Sequence, residues 1–162
     1  MRTVAISGGF DPLHLGHVNL IRDAFALGDR LQIYLNQDWW LVKKKGYCLL
    51  PIEVRMEIAM DVAQAYSEGK VFGVIPVIDE DMTVCKTLET YKPDVFANGG
   101  DRKDPFTVPE FPVCKKLGIE MVYGIGGYDK AGSSSDYFID AMHQYLINRG
   151  YILSKVDIKK AT

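Results

Sequence analysis

A chain of 162 residues, 48% hydrophobic and 25% charged, has the size and composition of one soluble domain with a real core and is too short for two. The formal net charge of −2 excludes a general nucleic-acid binder, which carries a basic excess, and leaves room for a local anion site. The N-terminal apolar run is too short for a secretory signal and no stretch spans a bilayer, so a cytoplasmic location without a membrane partner is expected.

Thr3–Ser7 is a short apolar run ended by Gly8-Gly9 and reads as a buried strand. After the Asp11-Pro12 turn, Val18, Ile21 and Phe25 recur at helical spacing up to Gly28. Arg30–Leu35 is a second strand, followed by an irregular stretch from Asp38 to Leu50 that holds Trp39-Trp40 and Lys43-Lys44-Lys45-Gly46. Pro51 suits a first helical position, and Ile52, Met56, Ala59, Val62 and Tyr66 mark one face of the helix that follows. Val71–Ile78 is β-branched enough for a third strand, and Thr83–Tyr91 predicts a helix closed by Lys92-Pro93. Asp94–Ala97 is a fourth strand ending at Asn98-Gly99-Gly100, Glu110–Leu117 a short helix, and Ile119–Tyr123 a fifth strand. A glycine-rich turn then leads through Ser133-Ser134-Ser135 into a helix that runs to about Arg149. Residues 1–150 are therefore read as one domain, and 151–162 as a tail without a clear pattern.

Strands alternate with helices throughout, which indicates an α/β fold: a parallel five-stranded sheet with helices on both faces. Such sheets bind ligands beyond the carboxyl ends of their strands, so the site belongs in the loops that follow strands.

The unusual residues fall in those loops. Gly8-Gly9-Phe10-Asp11-Pro12-Leu13-His14-Leu15-Gly16-His17 places glycines where a ligand can approach the backbone, just before a helix start. His14 and His17, three apart, share one side of the first helical turn, where they can hold phosphate oxygens and exchange protons near neutral pH. The segment lacks the Gly-Lys-Ser/Thr of a Walker loop and the Gly-x-Gly-x-x-Gly of dinucleotide folds. Asn98-Gly99-Gly100-Asp101-Arg102 offers a carboxylate and a guanidinium for a phosphorylated ligand, or is a plain turn with a surface ion pair. Lys130 and Ser133-Ser134-Ser135 suit a β/γ-phosphate at a helix start, although a serine N-cap explains the serines nearly as well. Cys48, Cys85 and Cys114 are widely spaced, without a Cys-x-x-Cys pair, and read as reduced thiols. Trp39, Trp40, Phe106 and Tyr128 suit a pocket lining or a dimer contact, but aromatic residues at this density are more often core or interface, and they are given no role.

The Gly8–His17 segment resembles the His-x-Gly-His signature of the cytidylyltransferase-like nucleotidyltransferases, and the resemblance runs from about Val4 to Ile139. Asn36-Gln37-Asp38 and Pro51-Ile-Glu-Val-Arg55 match that family in order, and Lys92–Asp101 is similar to the Pro-Asp…Gly-Gly-Asp stretch of heptose-phosphate adenylyltransferases. Arg102 stands where those enzymes usually have tyrosine, and the Arg-Thr-Glu-Gly-Ile-Ser-Thr signature of glycerol-phosphate cytidylyltransferases is absent.

The resemblance implies a Rossmann-like sheet of order 3-2-1-4-5, a homodimer and Mg²⁺. It implies as partners a nucleoside triphosphate and a phosphorylated small-molecule acceptor. Gly8, Gly9, Phe10, Asp11 and Gly16 would then line the nucleotide site with Lys130 and the three serines, and residues 98–102 would take the acceptor. His14 and His17, one lysine of 43–45 (Lys44 or Lys45 favoured) on a mobile loop, and Arg55 would stabilise the phosphates, with Asp11 the one candidate for a metal contact. The implied reaction is attack by an acceptor phosphate on the α-phosphorus of ATP or CTP, with release of pyrophosphate. The acceptor is then a sugar phosphate for an adenylyltransferase or a polyol or alcohol phosphate for a cytidylyltransferase. A catalytically silent nucleotide-binding module is the alternative of another class.

Overall fold

The computed structural model describes residues 1–100, 108–127 and 133–151, so the sequence readings of Asp101, Arg102, Phe106, Tyr128, Lys130 and nearly all of the tail lie outside it. Its strands are β1 (Thr3–Gly8), β2 (Arg30–Leu35), β3 (Val71–Pro76), β4 (Val95–Gly99) and β5 (Glu120–Ile125). Its helices are α1 (Leu15–Phe25), α2 (Asp38–Lys45), α3 (Ile52–Tyr66), α4 (Cys85–Tyr91), α5 (Phe111–Leu117) and α6 (Ser134–Asn148). All pairings are parallel and the sheet order is β3-β2-β1-β4-β5, as the alternation and the resemblance together lead one to expect.

Strand periodicity sorts the core onto the two faces. Val4 and Ile6 of β1, Leu31 and Ile33 of β2, and Val95 and Ala97 of β4 join one buried cluster with Leu20, Ile21 and Ala24 of α1 and Ala63 of α3. The intervening Ala5, Tyr34 and Phe96 join a second cluster with Leu88 of α4 and Val113 and Cys114 of α5. Residues of the central strands are thus buried whichever way they point, which explains runs as uniformly apolar as Val-Ala-Ile in β1. Asp79 starts α4 by accepting the amides of Lys86 (2.6 Å) and Thr87 (2.9 Å).

Three expectations are corrected. The stretch from Asp38 is not irregular but opens with α2, which buries only Trp40 and Leu41 and ends at Gly46 in the left-handed conformation (φ 84°). A helix that hides two adjacent residues leaves no periodic stripe to read. In α3 the fully buried positions are Arg55, Ala59 and Ala63, while Tyr66 is exposed and Ile52, Met56 and Val62 are half-buried. The stripe is displaced because Arg55 finds acceptors inside. Pro51 stands just before the helix, not in its first turn.

The turn after β5 presses on α1. Gly126 has φ 81°, and a Cβ there would lie 2.9 Å from the Leu20 amide nitrogen. This contact brings the end of β5 against the helix that follows the Gly8–His17 segment. Among the described residues no helix is long and apolar enough to cross a membrane.

Candidate active site

The loops after the strands enclose a cleft of about 820 Å³ at the carboxyl edge of the sheet. One wall is the post-β1 segment, including Gly8, Gly9, Phe10, Asp11, His14, Gly16 and His17. The end of β4 contributes Asn98, Gly99 and Gly100, and the start of α6 contributes Ser133, Ser134 and Ser135. The strand order places β1 beside β4, so two segments eighty residues apart in sequence share one crevice.

His14 is the N-cap of α1. Its Nδ1 accepts the Gly16 amide at 3.1 Å, and the Nδ1 of His17 accepts the His14 amide at 3.3 Å. The two imidazoles thus perform the reciprocal capping usually done by a hydroxyl and a carboxamide or carboxylate. An Nδ1 that accepts a hydrogen bond carries no proton, so each neutral ring keeps its proton on Nε2 as a donor. The rings lie 3.9 Å apart between centroids, with Phe10 4.7 Å from His17.

Burial, then the neighbouring His14 and Lys45, lower the His17 pKa to about 3. His17 in the unliganded protein is therefore a neutral hydrogen-bond donor. Proton exchange at this position near neutral pH, expected from residue type, is corrected by the desolvation of the His17 ring and its positive neighbours.

Asp11 is 1% exposed, and its carboxylate is spent on the protein. Oδ1 accepts the Leu50 amide (2.8 Å), and Oδ2 accepts the Leu49 amide (2.9 Å) and Lys45 Nζ (3.3 Å). It braces the chain between α2 and α3 against the post-β1 loop. The described residues contain no group of three or more His, Cys, Asp or Glu side chains able to hold a metal ion. With Asp11 so committed, they provide no fitted Mg²⁺ site, and the metal contact considered for Asp11 is not supported.

Arg55 does not reach the cleft. Its guanidinium is buried and donates to Leu50 O (2.8 Å), Gly9 O (2.7 Å), Asn36 O (2.8 Å) and the Asp38 carboxylate. The expected direct phosphate contact is thus corrected: Arg55 holds the backbone of the loops that form the cleft. A charged donor is stable in the interior only because four acceptors surround it.

The three lysines occupy the last turn of α2, not a loop. Lys44 and Lys45 line the cleft, and Lys43 does not. Lys44 Nζ lies 4.6 Å from the centroid of Trp40, and Lys45 Nζ lies 4.7 Å from that of Tyr47. Lys45 also donates to Asp11 O at 2.6 Å.

On the far wall, Ser134 Oγ donates to Pro12 O at 3.0 Å and ties α6 to the post-β1 turn. Ser133 stands at the N-cap with extended backbone, yet its side chain makes no capping bond. Ser133 therefore does not cap α6 through its own side chain, and the three serines at the start of that helix line the cleft.

Several cleft residues carried no role in the sequence reading: Asn36, Trp40, Tyr47, Met82, Val84 and Glu110. Trp40 and Tyr47 were concealed because α2 has no readable stripe. Glu110 is buried and accepts the Val84 amide at 3.2 Å, a role no local pattern announces. All three cysteine thiols are free and their pKa values are raised, chiefly by burial, Cys114 to about 12. None is an activated nucleophile.

The chain is thus an α/β protein with a parallel sheet, whose crevice gathers two imidazoles, two lysines and the serines at the start of α6. The cytidylyltransferase-like family model matches residues 5–125, and the chain belongs to that family. It is 33% identical over 129 residues to the bifunctional protein HldE of Koribacter versatilis (strain Ellin345), covering 80% of this chain and 24% of that protein. It is 29% identical over 137 residues to the ethanolamine-phosphate cytidylyltransferase of Arabidopsis thaliana, covering 80% of this chain and 31% of that protein. The chain thus spans about a quarter to a third of the length of these curated relatives. The crystal structure of the lipopolysaccharide core biosynthesis protein from Thermoplasma volcanium GSS1 superposes with a TM-score of 0.60 at 27% identity, covering 80% of this chain and 99% of that one.

Two outcomes follow from the geometry. Replacing Arg55 by Met removes the common donor of four acceptors and should lower the unfolding free energy by at least about 3 kcal/mol in urea titration. A change below about 1 kcal/mol would mean that the loops hold themselves. His17 stays neutral in the folded state down to about pH 3 but takes up a proton near pH 6.5 when unfolded. Its contribution is therefore complete above pH 6.5 and declines by roughly 1.4 kcal/mol for each unit below that, toward pH 3. The stability difference between wild type and His17→Gln, followed from pH 8 to pH 4, should be flat above 6.5 and shift against the wild type below it. A difference independent of pH contradicts the assignment.

Proposed function

We propose that the chain transfers a nucleoside monophosphate from ATP or CTP to a phosphorylated small molecule and releases pyrophosphate. The observation that carries this reading is the pair of imidazoles that line the cleft at the start of α1, fixed there by the hydrogen bonds their Nδ1 atoms accept from the backbone. The names of relatives support it: an ethanolamine-phosphate cytidylyltransferase performs this kind of reaction by its printed name.

In the proposed reaction an acceptor phosphate oxygen attacks the α-phosphorus, a P–O bond forms, and the α–β bridge P–O bond breaks to release pyrophosphate. The attacking oxygen is already anionic near neutral pH, so the protein needs no strong base. Its task is to align the two phosphates and neutralise the charge that builds between them. His14 and His17 donate to oxygens of the α- and β-phosphates, His17 as an uncharged group. Lys44 or Lys45 leaves its aromatic neighbour to meet the leaving pyrophosphate, and the start of α6 with Ser133 and Ser135 receives the β- and γ-phosphates. Asn98, Gly99 and Gly100 border the same space, and Asp101, Arg102 and Lys130 complete the proposed nucleotide and acceptor contacts. Mg²⁺ would serve as counter-ion to the triphosphate, with no described side chain assigned to it. A homodimer and a cytoplasmic location, expected from the sequence, belong to the same proposal.

His17→Ala should lower kcat for pyrophosphate release by about 10²–10³-fold, the usual cost of losing one preorganised donor to a developing charge. The variant's circular dichroism should stay that of the folded protein. Turnover within a few-fold of wild type, in a coupled pyrophosphate assay with each NTP, would remove His17 from the mechanism.

A further inference from the structure

Three non-glycine residues among those described have a left-handed backbone: Phe10 (φ 50°), Glu68 (φ 49°) and Lys92 (φ 43°). Lys92 is the C-cap of α4 and Glu68 follows the C-cap of α3, where such a conformation closes a helix, and both are exposed. Phe10 lies at no helix end. It stands between β1 and α1, is 1% exposed, and is of a bulky type that rarely takes positive φ. A strained residue persists only where its surroundings determine it, and such residues cluster at working sites.

The strain places one ring. Phe10 joins the buried cluster of Leu20 and Ile21 and meets the His17 imidazole, 4.7 Å away between centroids at an interplanar angle of 47°. The strand end is shaped to admit it: a Cβ on Gly8 would lie 3.0 Å from Phe10 Cε2. The glycine expected to open the backbone to a ligand is thus also required by the phenyl ring beside it. Other restraints on the His17 ring are weaker. Its Nδ1 accepts the His14 amide at 3.3 Å, beyond the usual range, and its second ring neighbour, His14, is polar.

We propose that Phe10 is the positioning residue of His17: its ring orients the imidazole at the cleft and shuts water away from it. Its effect on turnover rests on the nucleotidyl-transfer reading, whereas its effect on the imidazole does not. Burial is the first cause of the low His17 pKa, ahead of His14 and Lys45. The titratable groups facing His17 are His14 of its own helix and Lys45 of α2, which pairs with Asp11, and Tyr137 of α6 meets His14 edge-on at 6.0 Å. Loss of the Phe10 ring leaves all of these in place and admits water, so the pKa rises toward its ordinary value. The lysines and serines of the cleft still hold the nucleotide, so the loss falls on kcat rather than on KM.

The test compares Phe10→Leu with Phe25→Leu, the same substitution in the same buried cluster but at the far end of α1 from His17. The His17 imidazole is titrated by NMR from pH 8 to pH 4. Pyrophosphate release is measured with ATP and with CTP, using sugar 1-phosphates and glycerol 3-phosphate as acceptors. In the wild type and in Phe25→Leu the ring is expected to stay neutral throughout, since its pKa is about 3. In Phe10→Leu the midpoint should rise into the titrated window, and kcat should fall at least about tenfold with KM for the NTP within about threefold. Gly8→Ala, whose added Cβ has Phe10 ring atoms as its three nearest neighbours, is the second variant should Phe10→Leu not fold, and it too is expected to raise the midpoint. A His17 titration that matches the wild type in these variants, or a kcat loss that Phe25→Leu shares, would overturn the assignment. A wild type that releases no pyrophosphate with any pair would instead remove the nucleotidyl-transfer reading, and the titration alone then decides the role of Phe10.

Discussion

Everything at the carboxyl edge of this sheet depends on the Arg55 guanidinium. It joins Gly9 O after β1, Asn36 O after β2, Leu50 O before α3 and the Asp38 side chain at the start of α2. Three of these segments present a backbone carbonyl and the fourth a carboxylate, all of which Arg55 joins. A single planar donor with several N–H groups satisfies them at once, in a geometry that lysine could not reproduce. Asp11 repeats the device with opposite sign, accepting the amides of Leu49 and Leu50 and the Lys45 ammonium. The cleft is therefore framed by two buried charges that never need to touch a ligand.

Within that frame the site is built largely from neutral donors. The capping of α1 by two histidines links helix formation directly to function, because the same bonds that start the helix fix the tautomer of both rings. A depressed His17 pKa would be a handicap for a proton shuttle, but it suits a group whose work is to donate a hydrogen bond steadily across the physiological range. Positive charge is held at a short distance, with Lys44 and Lys45 parked over aromatic rings and Asp11, where a polyanion can recruit it. The Gly126 contact with Leu20 brings the two halves of the crevice together without adding a side chain.

The fold was legible because its signals are periodic and local. Val4, Ile6, Leu31 and Ile33 announce strands, and the unbroken alternation of strands and helices leads to a parallel sheet. The histidine motif and its place at a helix start could also be read directly. Less visible was anything that depends on which partner lies across space. Arg55 looks the same in sequence whether it faces a phosphate or four protein acceptors, and Asp11 looks the same as a metal ligand or as a brace. Helix α2 escaped notice since it packs through the neighbouring pair Trp40 and Leu41 rather than through a stripe. With it went Trp40 and Tyr47, whose unpaired atoms stand out only once the burial of each is known.

The central claim concerns the fate of one phosphorus atom. Incubation with an NTP labelled at the α-phosphate, together with a sugar 1-phosphate, separates the alternatives by following where the label goes. The account predicts that the label leaves the NTP and appears in a nucleoside diphosphate-linked product, in amounts equal to the pyrophosphate released. Label that remains in the triphosphate, or that moves into free nucleoside diphosphate with release of inorganic phosphate, would contradict it.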